Sequence, residues 1–166
     1  LGSTFLFDKF ATFMKNQAHV VKINGQLHIY KDGVYSNGYR EIESNMIQHI
    51  PNLKKMQRRE VLDYMELLVD EKEQSDANLI AFNNGVYDIV TEELKPFSTD
   101  IVITNKIPWN YNPDAYNELA DSTLNKLACG DATIRALLEE CIGYCFYRRN
   151  ELGKAFILTG DKSNGK

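Results

Sequence analysis

The sequence predicts an α+β fold: small antiparallel hairpin and meander sheets with packed helices, followed by a helical pair and the first strand of a P-loop motor. Three observations predict it. Apolar and polar residues alternate between turn signals over 19–36 and again from Leu79 onward, the pattern of half-buried strands. Apolar residues recur at spacings of three and four before, between and after those stretches, the pattern of amphipathic helices. An apolar run at 155–159 leads into a glycine-bounded loop and a lysine.

The first helix is expected over 3–17, with Ser3 or Thr4 as N-cap and Phe7, Phe10 and Met14 on one face. A three-stranded meander follows from His19 to about Ser36. Its turns are Asn24-Gly25 and Asp32-Gly33, whose residues tolerate the positive φ that tight hairpins need. Two helices come next, over about 40–49, stopping before Pro51, and about 57–70, with Val61, Leu62, Met65, Leu68 and Val69 facing inward. The polar run at 70–78 reads as a solvated connection. Strands resume with "LIAFNNGVYDI", a turn near Thr91, then "LKPF" and "IVITNKI"; Pro96 confines its strand to an edge. At Asn112-Pro113 the pattern changes to a helix start, with Asn as cap and Pro in the first turn. Tyr116, Leu119, Ala120, Thr123 and Leu127 give its stripe, Gly130 ends it, and Asp131 caps the next helix. There Ile134, Leu137, Leu138, Cys141, Ile142 and Cys145 form the clearest helical pattern of the chain, expected to run to about Arg149.

Composition bounds the function. With 166 residues, 43% hydrophobic and 25% charged, the chain can bury a core. No apolar run approaches the roughly 18 residues of a membrane span, and no export signal opens the sequence. The net charge of −4 and pI near 5.4 argue against tight nucleic-acid binding by overall charge, though not against a local basic patch. The three cysteines lack metal-ligand spacing, and Cys141 and Cys145 lie in an apolar stripe, so they read as core thiols of a reducing cytoplasm; no metal site is expected.

The sharpest chemical signal is the terminal loop, Gly160, Asp161, Lys162, Ser163, Asn164, Gly165 and Lys166, which matches G-x-x-x-x-G-K. Glycines let successive N–H groups turn toward phosphate oxygens, and the lysine places a charge on the β- and γ-phosphates. Such a match arises by chance in roughly one chain in twenty of this length. The hydroxyl residue that ligates Mg²⁺ is absent, so the fragment alone is expected to be inactive, with ATP and Mg²⁺ belonging to a parent protein. A second signal is "NLKKMQRRE", where Lys54, Lys55, Arg58 and Arg59 gather at a loop–helix junction as candidate DNA-phosphate contacts. Arg148, Arg149 and Lys154 form a smaller basic group that also complements a helix end. Tyr30, Tyr35, Tyr39 and Trp109 are candidate stacking or packing residues. No nucleophile–His–acid set is evident.

Three stretches together carry a family resemblance. "FNNGVYDIVTEELKPFSTD" (82–100) and "IPWNYNPDA" (107–115) resemble successive blocks of phage, prophage and poxvirus primase–helicases, and 140–166 is similar to their run into the Walker A loop, including Asn164. Lys162 departs from the second glycine often found there. The resemblance implies an accessory, collar-type domain preceding a superfamily III, AAA+ helicase motor, in a parent that forms homo-hexamers on DNA. It implies divisions at 1–110 for the α+β accessory part, 111–152 for the helical pair and 153–166 for a truncated motor start. The expected function is help with hexamer assembly and DNA positioning in an ATP-dependent replicative helicase of the cytoplasm or a viral replication site. No primase active-site motif is present. Two alternatives stand: a non-catalytic oligomerisation or DNA-docking module, and a fragment of a P-loop NTPase unrelated to DNA.

Overall fold

The computed structural model describes residues 4–159, and the loop from Gly160 to Lys166 lies outside the described residues. Its elements are α1 (Phe7–Gln17), β1 (Val21–Ile23), β2 (Gln26–Lys31), β3 (Val34–Asn37), α2 (Tyr39–His49), α3 (Lys55–Leu68), β4 (Leu79–Phe82), β5 (Gly85–Asp88), β6 (Glu93–Lys95), α4 (Glu118–Leu127) and α5 (Ala132–Tyr144). The expected α+β class with two small antiparallel sheets holds. One sheet has the order β1-β2-β3 and the other β4-β5-β6. The chain divides into two compact units, Leu1–Tyr111 and Asn112–Lys166.

In the first unit the two hairpin turns form as the sequence requires. Asn24 and Gly25 take φ of 51° and 72°, and Asp32 and Gly33 take 51° and 88°. These turns set the register Ile23↔Gln26 and Lys31↔Val34. With the register fixed, Leu27 and Ile29 of β2 fall on one face and pack with the helices. Ala11 and Met14 of α1, Ile42 and Met46 of α2, and Val61, Leu62 and Met65 of α3 complete that core. Val21, Ile23 and Tyr35 point to the opposite face, where Val102 joins them. A third cluster lies between the sheets and joins Val34 of β3 to Ala81 of β4, Val86 of β5 and Ile103.

Several boundaries differ from expectation. α1 begins at Phe7, three residues late, with Leu6 at the N-cap and no side-chain cap. The helix is held instead by burial of Ala11 and Met14, a tertiary contribution that outweighs the local cap. The run at 101–107 is not a strand: Tyr35 N–H donates to the Ile103 carbonyl (2.7 Å), and Ile107 N–H donates to Ala81 (2.9 Å). It therefore touches both sheets without forming a ladder with either. The polar run at 70–78 is more than a solvated loop, because Glu71 bridges Lys22 in parallel and Ser75 exchanges hydrogen bonds with Val102.

In the second unit, Asn112 does not cap a helix. Its side chain accepts from Asp114 N–H (3.0 Å) in a turn over Pro113, and α4 starts later, where Asn117 accepts from Ala120 N–H (3.0 Å). Asp131 caps α5 as expected, accepting from Thr133 and Ile134 N–H at 2.7 and 3.2 Å. α5 ends at Tyr144 rather than near Arg149. No residue of α4 or α5 is buried. The helices are joined by Arg135, which donates to Asp121 Oδ1 (2.9 Å), Asn125 Oδ1 (2.8 Å) and Glu139 Oε1 (2.9 Å). Hydrogen bonds to Asp121 and then Glu139 hold the guanidinium more firmly charged than usual. The core-thiol reading fails here: Cys129 and Cys145 are exposed and Cys141 is half-buried, because the apolar stripe that contains the last two is not covered. The expected strand at 155–159 has no partner among the described residues and is not a strand; Ile157 and Leu158 are 86% and 70% exposed.

Two glycines are fixed by close approach. At Gly85 (φ 153°) an added Cβ would lie 2.5 Å from the Lys95 carbonyl oxygen of β6, and at Gly33 it would strike the Phe97 ring at 2.3 Å. Gly85→Ala is expected to lower unfolding free energy by about 2 kcal/mol or more, since strained φ and a backbone clash add. Gly25→Ala (φ 72°, open space) adds strain only, about 1 kcal/mol. Urea denaturation of both variants checks the difference.

Candidate functional site

The first turn of α3 concentrates the basic residues that the sequence singles out. Ile50 accepts from Leu53 N–H after the chain passes Pro51, and Lys54 is extended (φ −67°, ψ 154°), so α3 begins at Lys55. Gln57 reaches back and accepts from Lys54 N–H (3.0 Å), satisfying one donor at the entry. No acidic residue lies in this turn. The positive end of the helix dipole and the side-chain charges of Lys54 and Lys55 therefore reinforce one another.

The structure does not bring the four basic residues to one surface. Arg58 faces inward: Nε donates to Glu43 Oε1 of α2 (3.0 Å) and Nη1 donates to the Leu53 carbonyl (2.7 Å), with side-chain exposures of 21% and 29% for the pair. It is a tie between α2 and α3. Lys55 and Arg59, one turn apart, line a hollow of about 380 Å³ with Tyr39, Glu43, Leu62 and Asp63. Arg59 lies 3.9 Å from Asp63, both exposed. The Tyr39 hydroxyl donates to Glu66, and that bond, with some burial, pushes the phenol above its usual range. Lys54 lies on the other side, in a groove with α1 that also holds Lys9, Phe10 and Phe13.

The aromatic candidates also separate. Tyr30 and Tyr35 meet edge to face at 5.1 Å, and the Tyr35 hydroxyl donates to the Thr99 carbonyl (2.6 Å); Tyr35 is 2% exposed and core, and Tyr30 packs half-buried against it. Trp109 is 75% exposed, yet its backbone is held because its carbonyl accepts from Asn83 N–H (3.0 Å). Beside it, Asn84 both accepts from Tyr111 N–H (2.8 Å) and donates to the Tyr111 carbonyl (2.9 Å). The turn in "FNNGVYD" thus binds the segment 107–111, and Tyr111 stacks on Tyr87 (4.2 Å, 25°). Hydrogen bonding with Tyr111, then partial burial, pushes the Tyr87 phenol up to about 12.

Arg148, Arg149 and Lys154 line a hollow of about 450 Å³ with Tyr144 and Phe156, and Arg149 pairs with Glu151 at 3.0 Å. The candidate nucleotide loop, Gly160 to Lys166, lies outside the described residues. Among the described residues no three His, Cys, Asp or Glu side chains come together as a metal-ligand group. Sequence reasoning missed Phe13 and Lys9. The available signal was that Phe5, Phe7, Phe10 and Phe13 are more rings than one face of a short helix can bury.

Arg58→Ala is expected to cost about 1–2 kcal/mol of stability, because it strands Glu43 and the Leu53 carbonyl. Arg59→Ala should cost under about 0.5 kcal/mol, and thermal unfolding of the two variants tests this. Because the folded Tyr87 pKa lies above the free phenol's, near 10, its stabilising effect is complete below pH 10 and disappears as pH rises through about 12. Tyr87→Phe should remove that alkaline slope, measured by denaturation across pH 9–12.

No curated protein matches this chain. A family model described as "D5 N terminal like" matches residues 2–141, which takes in the first unit except Leu1, then α4 and most of α5. The matched span holds both blocks at 82–100 and 107–115 and the hydrogen-bonded turn that joins 83–84 to 109–111. The chain belongs to the D5 N-terminal-like family, the N-terminal domain of primase–helicase-type proteins of phages and poxviruses.

Proposed function

We propose that this chain is the accessory domain of an ATP-dependent replicative DNA helicase, placed before a superfamily III AAA+ motor, and that it aids hexamer assembly and DNA positioning. The observation that carries this reading is the sequence order. The family match ends at Cys141, and G-x-x-x-x-G-K follows at Gly160 to Lys166, after an apolar run. In the parent protein ATP and Mg²⁺ are the cofactors, and Lys166 stabilises charge on the transferring phosphoryl group.

Two structural features support the division of roles. The apolar stripes of α4 and α5 stay exposed, with Leu119 at 75%, Leu127 at 53%, Leu137 at 56% and Ile142 at 48%. Helices that bury none of their residues need a covering partner, which suits assembly, either with the motor or with a second copy. The α3 entry exposes Lys55 and Arg59 on one side and Lys54 on the other, and each side suits transient contact with DNA phosphates; Arg58 ties α3 to α2 between them.

In the parent protein Lys166→Ala is expected to lower ATP hydrolysis by about two orders of magnitude or more, while thermal unfolding of this domain is unchanged. A parent variant that hydrolyses ATP at the original rate overturns the assignment of the loop.

A further inference from the structure

Lys54 stands on the rim of a groove between α1 and the entry to α3. The groove is an open hollow of about 690 Å³ whose lining includes Phe5, Lys9, Phe10, Phe13, Ile50 and Lys54. Phe13 is 42% exposed and yet fixed: it stacks with Phe10 (6.0 Å, 16°) and meets the His49 ring edge-on (5.0 Å, 90°). A ring held on two sides and open on another is a preorganised platform, because little rotamer freedom is lost when a ligand covers it.

The charge of the groove selects the ligand. The chain as a whole is acidic, at −4, but no Asp or Glu lines this hollow. Lys54 makes no ion pair among the described residues, and Lys9 has only Asp8, at 4.0 Å and largely in solvent. The positive end of α3, without a first-turn acid, adds to the same field. Asn52 and Gln57 offer amide groups at the same surface; the Gln57 oxygen is already used by Lys54 N–H, which leaves its amide N–H groups to donate outward. An apolar protein helix would cover the floor but leave the two lysines of the rim without an anionic partner of its own. Aromatic rings with interleaved cations and amide donors fit a flexible polyanion with flat bases.

We infer that this groove binds single-stranded DNA, with a base stacked on Phe13 and flanking phosphates held by Lys9 and Lys54. The choice of DNA rests on the helicase reading above; the geometry of the groove stands independently of it. Duplex DNA does not suit the site, since its bases are not available to Phe13.

Fluorescence anisotropy of the full chain with a labelled oligothymidylate of about 12 nucleotides tests the inference. Binding is expected to fall with salt at a log–log slope of about −1.4, the value for two phosphate contacts, and Lys54→Ala should reduce it to about −0.7. Phe13→Leu keeps apolar bulk but removes the π-face, and should weaken binding about tenfold without changing the unfolding temperature; Phe13→Tyr should restore it. Four results overturn the proposal: no binding to the single strand, affinity for a duplex equal to that for the single strand, tighter binding to oligouridylate, or binding unaffected by Phe13→Leu. Concentration-dependent self-association abolished by Phe13→Leu assigns the groove to a second copy instead and also overturns it. None of these results bears on ATP hydrolysis by the Lys166→Ala parent, so the two readings fail separately.

Discussion

The first unit depends on one irregular segment. Val102 and Ile103 are neighbours in an extended stretch, so their side chains point to opposite sides. Val102 enters the cluster of Val21, Ile23 and Tyr35, and Ile103 enters the cluster of Val34, Ala81 and Val86. The backbone is tied at the same place: Tyr35 N–H donates to Ile103, the Tyr35 hydroxyl donates to Thr99, and Ser75 exchanges two hydrogen bonds with Val102. Two three-stranded sheets, each too small to be stable alone, are joined through this strip of extended chain. Phe97 packing on Gly33 and Lys106 donating to the Asp32 carbonyl (2.8 Å) reinforce the joint from the β2–β3 turn.

The helical layer solves a different problem. α1, α2 and α3 all lie on the face of the first sheet that presents Leu27 and Ile29, and each helix buries at least two residues there. That packing fixes where the α3 entry points. Once Val61 and Met65 are inside, helical geometry sends Lys55 and Arg59 along one line, Arg58 toward Glu43, and the preceding Lys54 toward α1. A basic cluster that is contiguous in sequence is thereby divided among a structural ion pair and two separate surfaces. The helical pair of the second unit lacks such a layer and is held by polar contacts around Arg135, so its apolar stripe is left over.

Much of the fold was legible beforehand, and the reasons are local. Asn24-Gly25 and Asp32-Gly33 both need positive φ, and few other residue pairs accept it, so the meander followed directly. Asp131 capped α5 because a short carboxylate before an apolar run can satisfy two open N–H groups. The failures were of the opposite kind. At Asn112 the cap chemistry was sound, but Pro113 favoured a turn, and an equivalent Asn117 stood five residues on to start the helix. At 101–107 alternation was present, yet the segment found single bonds to two sheets instead of a ladder to one. Cys141 and Cys145 followed the helical stripe faithfully, but a stripe specifies a face and not what covers it.

The sequence by itself determined the class, the two hairpin turns of the first sheet, the stripes of α3 and α5, the residues of the glycine-bounded loop and the stretches on which the family resemblance rests, because each depends on residues close together in the chain. Tertiary structure alone decided that Arg58 is spent on Glu43 while Lys54 is not, that Trp109 is held open by the turn at Asn83, and that Phe13 shares a groove with a lysine 41 positions away. Those outcomes depend on which side of a packed helix meets which neighbour. A rotation of 100° per residue makes them invisible until the packing partner is known.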